Sequence, residues 1–458
     1  MKQPATKVFR NIIPNGVEIS LDRKNYEILY PPSVWKQFPD IYRQNFADAL
    51  AYSLTMHLCL NGHSKLIYNF PHPQIEPFFF EGMIYSLGET SLLEGKDTRV
   101  SDLIRLFYNH NLNINFTGRP RYRRFKSIGR NTKNLALIPF SFGKDSLLTF
   151  ALAKELGIET YPVFFREPKD AMENRHKRKI AAKFLEEFNL EVNFFPVSAG
   201  RLRQTTGRWW GWDLLLTQYT LLLIPYTFGL RSRYLFWAHE QSCNDFMTDA
   251  EGYLINPVFE QSARWLLTSN NLARELGSNT LFISLLEPIH EIAIMKILHH
   301  RYPEIAKYQM SCFFLEDASA TKRWCGQCSK CARMYIFMLA LGIDPQTVGF
   351  TENMLGLKKV DLFSLFGGNN EFKGIYDESG LGKDEQLLAF LMAYQKGIKG
   401  PLMKEFTKKN FLEAKAREKE LRDKFFGIHT TNTLTYEIKT PLLKIFREEL
   451  LFENHGSL

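Results

Sequence analysis

The chain has few cysteines for its length and no long apolar run. Its 458 residues include six cysteines, too few for the disulfide framework of a small secreted domain. The most apolar stretch, residues 214–228, is interrupted by polar residues and Pro225, so it predicts a buried helix and not a membrane span. Residues 1–16 lack the apolar core of a secretory signal. These absences predict a cytoplasmic protein without a membrane partner.

Internal repeats, low-complexity segments and a strong charge of either sign are also missing. Hydrophobic residues make up 45% of the chain and charged residues 23%, which is typical of a globular protein with two or three domains. Lysine and arginine number 58 against 49 acidic residues. A net charge of +9 over this length is compatible with an anionic ligand but does not favour a nucleic-acid-binding protein over one with an ordinary basic surface.

Hydrophobic patterning divides the chain into four segments. Residues 1–130 combine short alternating strands with a helix over 40–60, and predict an accessory α+β domain. Residues 131–310 alternate short apolar strands with helices, which predicts an α/β fold with an open parallel sheet. Residues 311–345 carry a cysteine cluster and an apolar helix, and residues 346–458 are helical. The charged run 404–426 predicts one solvated surface helix, and residues 173–178 predict a solvated helix start.

The sharpest local pattern is a strand, a short loop and a helix over residues 135–156. The apolar run LALIPF leads into SFGKDS, and an apolar helix follows. A helix N-terminus presents free N–H groups to an anion, glycine allows close backbone approach, and lysine adds a positive charge. An aspartate there suits Mg²⁺ or a helix cap. We therefore predict a phosphate-binding loop formed by Ser141, Gly143, Lys144, Asp145 and Ser146.

Four of the six cysteines lie between residues 312 and 331. Cys325, Cys328 and Cys331 have the spacing C-x2-C-x2-C, and Cys312 precedes them by a gap of 12 residues. Four thiolates make a closed tetrahedral zinc site. A ferredoxin-type iron–sulfur cluster would place a cysteine at the position that Tyr335 occupies. The spacing favours structural Zn²⁺ over iron–sulfur or free thiols, and predicts that Cys59 and Cys243 are buried lone thiols.

The SFGKDS loop resembles the S-x-G-x-D-S motif of the PP-loop ATP pyrophosphatases, with Phe142 where many relatives have glycine. The resemblance covers about residues 135–300. It implies the adenine nucleotide alpha-hydrolase-like fold, with ATP and Mg²⁺ as cofactors, and cleavage of ATP to AMP and pyrophosphate. Asp145 and Lys144 would then be catalytic as well as nucleotide-binding.

Two branches of that superfamily are similar to this chain. A PP-loop with a four-cysteine knuckle is similar to 7-cyano-7-deazaguanine synthase, whereas the whole layout is closer to the UDP-N-acetylmuramoyl-L-alanyl-L-glutamate epimerases. Local stretches such as AHEQSCND (238–245) and LLEPIHEIA (285–293) resemble the epimerases as well. The resemblance implies a small carboxylate substrate, acidic or nucleotide-linked, that is activated by adenylation. A tRNA-modifying enzyme and a non-catalytic nucleotide-binding module remain as further alternatives.

Polar residues that follow the predicted strands are candidates for substrate contact, because ligands of doubly wound sheets lie beyond the carboxyl ends of the strands. His239 or Glu240 would be the general base for an α-proton. Arg208 would bind an acidic substrate, whereas a tryptophan group near it is expected in the core. The remaining strand-end candidates are Arg166, Glu167 and Glu287, and the tryptophans are Trp209, Trp210 and Trp212.

Overall fold

The computed structural model describes residues 5–60, 65–94, 98–111, 113–119, 132–168, 171–204, 211–212, 214–311, 323–367 and 380–450. The first sheet has the order β3-β2-β1-β4-β5. Strands β1, β2 and β3 form an antiparallel meander, and β4 and β5 continue the sheet in parallel from β1. The bounds of its strands are Ala5–Ile13, Gly16–Leu21, Lys24–Leu29, Lys65–Tyr68 and Ile114–Phe116.

Four helices accompany this sheet. The predicted helix over 40–60 is α2, Asp40–Thr55, continued by a 3-10 turn at Met56–Leu60. Its apolar residues at helical spacing are fully buried, including Phe46, Leu50 and Leu54. The other helices are α1 (Pro32–Trp35), α3 (Glu76–Glu94) and α4 (Val100–Asn111).

The second sheet is entirely parallel, as the alternating strands and helices predicted. Its order is β12-β9-β6-β7-β8. The strands are β6 (Lys133–Pro139), β7 (Glu159–Arg166), β8 (Asn193–Pro196), β9 (Ser232–Trp237) and β12 (Leu281–Ser284). A separate hairpin pairs β10 (Met247–Thr248) with β11 (Leu254–Ile255). The fold is therefore α/β, with one mixed sheet and one parallel sheet.

Helices cover both faces of the parallel sheet. Along β6, Ala136 and Ile138 join one hydrophobic core while Leu137 joins the other, as alternation along a strand requires. The first core contains α5 (Lys144–Glu155), α6 (Ala171–Phe188), α9 (Glu291–Arg301), α10 (Pro303–Ala306) and α11 (Ser329–Leu341). The second core contains α7 (Leu215–Gly229), α8 (Ala263–Glu275) and α2, so the N-terminal segment packs onto the parallel sheet.

The strand order reverses beside β6. From β6 the chain moves outward through β7 to β8, then returns to the other side of β6 to form β9 and β12. In doubly wound sheets the crevice at such a reversal is where ligands bind. The reversal brings the loop after β6 and the loop after β9 to the same edge of the sheet.

Residues 380–450 of the C-terminal segment form five α-helices: α12 (Gly380–Gln395), α13 (Pro401–Lys409), α14 (Phe411–Ala416), α15 (Glu418–Phe425) and α16 (Tyr436–Leu450). The prediction of one solvated helix over 404–426 is wrong. The run is divided into three helices at Asn410 and Arg417. The chain turns at these two residues, and this brings three side chains of the run into the first core, where they are fully buried: Phe406, Leu421 and Phe425. Among the described residues, no helix is long and apolar enough to cross a bilayer.

Candidate functional site

The loop between β6 and α5 forms a small polar ring at the strand reversal. The Ser141 and Gly143 N–H groups donate to the Ser146 and Ser141 hydroxyls at 3.2 and 3.3 Å, and the Lys144 N–H donates to the Ser311 hydroxyl at 3.4 Å. A Cβ on Gly143 would lie 3.3 Å from the Ser141 hydroxyl. These hydrogen bonds are long, and the N-cap residue of α5, Gly143, has no side chain to accept one from the helix. An anionic oxygen would therefore meet available donors here.

Phe142 has a left-handed backbone, with φ of +58°. Its ring is fully buried and contacts Phe140 and Phe184, with ring centroids 4.8 and 5.7 Å away. Its carbonyl accepts a 2.7 Å hydrogen bond from the Met310 N–H. The side chain that departs from the common motif therefore anchors the loop to the core, at the cost of a conformation that glycine adopts more readily.

Lys144 is buried, and its ammonium group binds Asp145 and lies 2.8 Å from Glu291. Glu291 is in turn 2.7 Å from Arg333 on α11. Burial alone would lower the pKa of Lys144, but the Asp145, Glu291 and Glu240 carboxylates outweigh it and raise that pKa. Burial opposes ionisation of Glu291, yet Arg333 and Lys144 lower its pKa to about 2. Both groups are therefore charged at neutral pH.

Helix α6 contributes a second buried lysine to the loop. Lys177 donates to the carbonyls of Ser141 and Met310, the latter at 2.7 Å. The prediction that residues 173–178 form a solvated helix start is wrong at His176 and Lys177, which are 5% and 2% exposed. The ammonium group of Lys177 thus joins the β6–α5 loop at Ser141 to the segment that follows α10 at Met310.

A cleft of about 330 Å³ opens beyond the loop. Its lining includes Ser141, Asp145, Ser146, Tyr219, Trp237 and His239. His239 is 6% exposed, and neither of its ring nitrogens has a hydrogen-bond partner in the described part of the chain. The ring stacks on Trp237, with centroids 5.2 Å apart, and burial lowers its pKa to about 3. A neutral imidazole with both nitrogens available therefore shares the cleft with the loop.

The other strand-end candidates have structural partners. Glu240 accepts from the Ser242 N–H at 2.8 Å and from its hydroxyl, which places it as an N-terminal cap. Burial and the Glu291 charge raise the pKa of Glu240. Glu287 accepts from the N–H groups of Asn432 and Thr433, at 2.7 and 2.8 Å, and so holds the segment before α16.

Arg166 and Glu167 lie at the carboxyl end of β7. Glu167 is buried, binds Arg203 and accepts from the Tyr219 hydroxyl at 2.8 Å. Glu167 lines both the 330 Å³ cleft and a neighbouring cleft, whereas Arg166 lines only the neighbouring cleft. Trp212 lies half-buried with the Arg203 guanidinium 5.1 Å from its ring, and Arg208, Trp209 and Trp210 lie outside the described residues.

Three of the predicted metal ligands come together. The sulfur atoms of Cys325, Cys328 and Cys331 lie within 4.8 Å of one another, and those of Cys325 and Cys331 are 3.6 Å apart. Thiolates on one zinc ion are about 3.8 Å apart, from Zn–S bonds of about 2.3 Å in a tetrahedron. Gly326 bends the chain with φ of +67°. The group could bind a metal such as zinc; Cys312 lies outside the described residues.

The two remaining cysteines, Cys59 and Cys243, are buried as predicted. Reasoning from the sequence did not single out Glu291, Arg333, Lys177 or Ser311. For Glu291, the one signal of a role at the site was its position shortly after β12, within the LLEPIHEIA stretch. The partners of the others come from distant parts of the chain. In comparisons with known proteins, the chain matches no protein-family model and no curated protein.

Proposed function

We propose that this protein is a PP-loop enzyme that activates a substrate carboxylate with ATP. The observation that carries the proposal is the position of SFGKDS at the strand reversal, with a helix N-terminus whose N-cap residue is a glycine and a cleft beyond it. A carboxylate oxygen of the substrate attacks the α-phosphorus, the bond to the bridging oxygen breaks, and pyrophosphate leaves. Lys144 and the loop N–H groups stabilise the charge that grows on the leaving group.

The residues present fit a bound Mg²⁺ through Asp145, which lines the cleft and pairs with Lys144. When bound, Mg²⁺ would neutralise charge on the phosphates. The buried partners of Lys144 prevent its side chain from following a leaving phosphate outward. We therefore assign Lys144 a fixed role in positioning charge at the floor of the loop.

The first-choice reaction is epimerisation of the terminal glutamate of UDP-MurNAc-L-Ala-L-Glu. An acyl adenylate makes the α-proton of that glutamate acidic, and a base in the cleft removes it. His239 supports this choice because it is neutral, buried and unpartnered among the described residues. Phosphate charge beside it would stabilise its protonated form. A water molecule then delivers a proton to the opposite face of the α-carbon, and hydrolysis of the adenylate by a second water releases AMP and the inverted glutamate.

Substrate-dependent release of pyrophosphate and AMP tests this choice. ATP and Mg²⁺ are incubated in deuterium oxide with UDP-MurNAc-L-Ala-L-Glu or with 7-carboxy-7-deazaguanine and ammonia. The proposal predicts turnover with the nucleotide-sugar peptide, deuterium at the glutamate α-carbon and D-glutamate on chiral analysis. Turnover with the deazapurine alone would move the protein to nitrile synthesis. If the His239→Gln variant still exchanges the α-proton for deuterium, His239 is not the base.

The cysteine cluster has a structural role in this proposal. The three sulfurs fit zinc, with Cys312 as the fourth ligand predicted from the sequence. Helix α11 begins within the cluster and carries Arg333, which pairs with Glu291 behind Lys144. A bound metal would therefore stabilise the segment that holds the buried ion pairs of the loop.

A further inference from the structure

We propose that a second cleft, next to the reaction cleft, binds the phosphate groups of a phosphorylated small molecule. Its volume is about 1010 Å³, and it lies between the β2–β3 hairpin and the carboxyl ends of β7 and β8. Five cationic side chains from four elements line it: Lys24, Arg166, Arg175, Arg178 and Arg201. We call the cleft lined by these five residues the basic cleft.

None of the five cations forms an ion pair with a carboxylate of the described residues. Among the described lining residues the one carboxylate is that of Glu167, which is already bound by Arg203 and by the Tyr219 hydroxyl. Cations held close together without counter-charges repel one another, and an anion between them removes that repulsion. Surface cations elsewhere, such as Lys415 and Arg417, do have acidic partners.

The shape of the basic cleft favours a small ligand over a nucleic acid. Its cations converge from a hairpin, a strand end, helix α6 and the 3-10 turn Ser198–Gln204 onto one concavity. Single-stranded nucleic acids are bound along grooves with several stacking aromatics, whereas Tyr26 is the one aromatic among the lining residues that the structure describes. Three neutral polar residues also line the cleft, and each donates to a protein oxygen: Asn25 to the Glu18 carboxylate, Asn174 to the Glu167 carbonyl and Ser198 to the Glu27 carbonyl.

The basic cleft adjoins the reaction cleft, because Glu167 lines both. A substrate whose carboxylate lies at the phosphate loop can thus extend its phosphates past Glu167 to the arginines. That connection to the substrate rests on the proposed function. The binding of a phosphorylated ligand does not, and it is measured without ATP turnover.

The test is calorimetric titration of the full chain with inorganic pyrophosphate at low salt. One variant removes two cations from the α6 wall, Arg175→Gln with Arg178→Gln, and a second removes Lys24 and Arg201 as Lys24→Gln with Arg201→Gln. The control, Lys404→Gln with Lys408→Gln, removes the same charge from exposed positions on α13. Because the phosphate loop would also bind pyrophosphate, Lys144→Ala identifies that site separately.

Both cleft variants should weaken one class of pyrophosphate site by about tenfold or more, while the control leaves it unchanged. Equal binding by all variants, no binding by the wild type, or the same loss in the control would overturn the proposal. So would a single-stranded RNA that binds more tightly than pyrophosphate and displaces it. If the wild type does not turn over ATP but the cleft variants still bind pyrophosphate more weakly, the proposed function is wrong and the assignment of the basic cleft as an anion site is supported.

Discussion

The Arg333 guanidinium lies 2.7 Å from the Glu291 carboxylate, and both side chains are buried. Glu291 also binds Lys144, so it joins α11, which begins within the cysteine cluster, to the β6–α5 loop. A carboxylate between two buried cations cannot be removed without leaving charges that water does not reach. This arrangement holds the side chain of Lys144 between Asp145 and Glu291.

Replacing Glu291 with glutamine should destabilise the fold strongly. The substitution leaves Lys144 and Arg333 buried with less compensating charge, and breaking a buried pair in this way costs about 3–5 kcal/mol. The control is Glu448→Gln, which alters a partly exposed ion pair with Arg301 and should change the unfolding free energy by about 1 kcal/mol or less. Urea unfolding followed by circular dichroism measures both. Equal effects of the two substitutions would contradict the account.

The Glu291 network also predicts the acid response. The folded-state pKa of Glu291, about 2, lies below its unfolded value, so its contribution to stability is complete above the unfolded value. It is lost as the pH falls from about 4.3 towards 2. Unfolding free energies measured over that range should converge for the wild type and Glu291→Gln. A difference that stays constant down to pH 2 would show that this carboxylate is not held ionised.

The burial of His239 leads us to predict a change in stability at a higher pH than the one caused by Glu291. Burial lowers its folded-state pKa to about 3, below the unfolded value near 6.5. The unfolded chain therefore binds a proton first, and stability falls by up to about 1.4 kcal/mol per pH unit as the pH drops from about 6.5 to 3. His239→Gln should remove this component of the pH dependence. A proton NMR titration that places the His239 pKa near 6.5 would refute its burial as a neutral base.

Phe142 allows backbone strain to be separated from packing. Phe142→Ala removes a buried ring and should destabilise the protein by about 3–5 kcal/mol. Phe142→Gly removes the same ring but also relieves the left-handed backbone, so it should be more stable than the alanine variant by about 1 kcal/mol. Chemical unfolding of the two variants gives the difference directly. An alanine variant as stable as the glycine variant would mean that the loop is not strained at this position.

Metal analysis tests the cysteine cluster. Cys328→Ser should reduce bound zinc from about one ion per chain to near zero and lower the melting temperature, because metal binding is coupled to folding of the cluster. Cys59→Ala is the control, since Cys59 is buried elsewhere in the N-terminal core. Zinc content that is the same in both variants would exclude the cluster as a zinc site.

Local signals in the sequence were sufficient to predict the parallel sheet and the position of the loop between β6 and α5. Strands such as β6 are short apolar runs beside turn residues, and the loop residues are contiguous. The burial of Lys177 was not predictable, because its partners Ser141 and Met310 lie far along the chain. The three helices over 401–425 were missed because charge periodicity continues through Asn410 and Arg417, where tertiary packing turns the chain.

The most direct test of the account measures how ATP is cleaved. The wild type, Lys144→Ala and Asp145→Ala are incubated with ATP, Mg²⁺ and the carboxylate substrate, and nucleotide products are separated by chromatography. The account predicts AMP and pyrophosphate in equal amounts from the wild type and neither from the variants, with circular dichroism showing that the variants remain folded. Formation of ADP and phosphate, or AMP release retained in both variants, would contradict it.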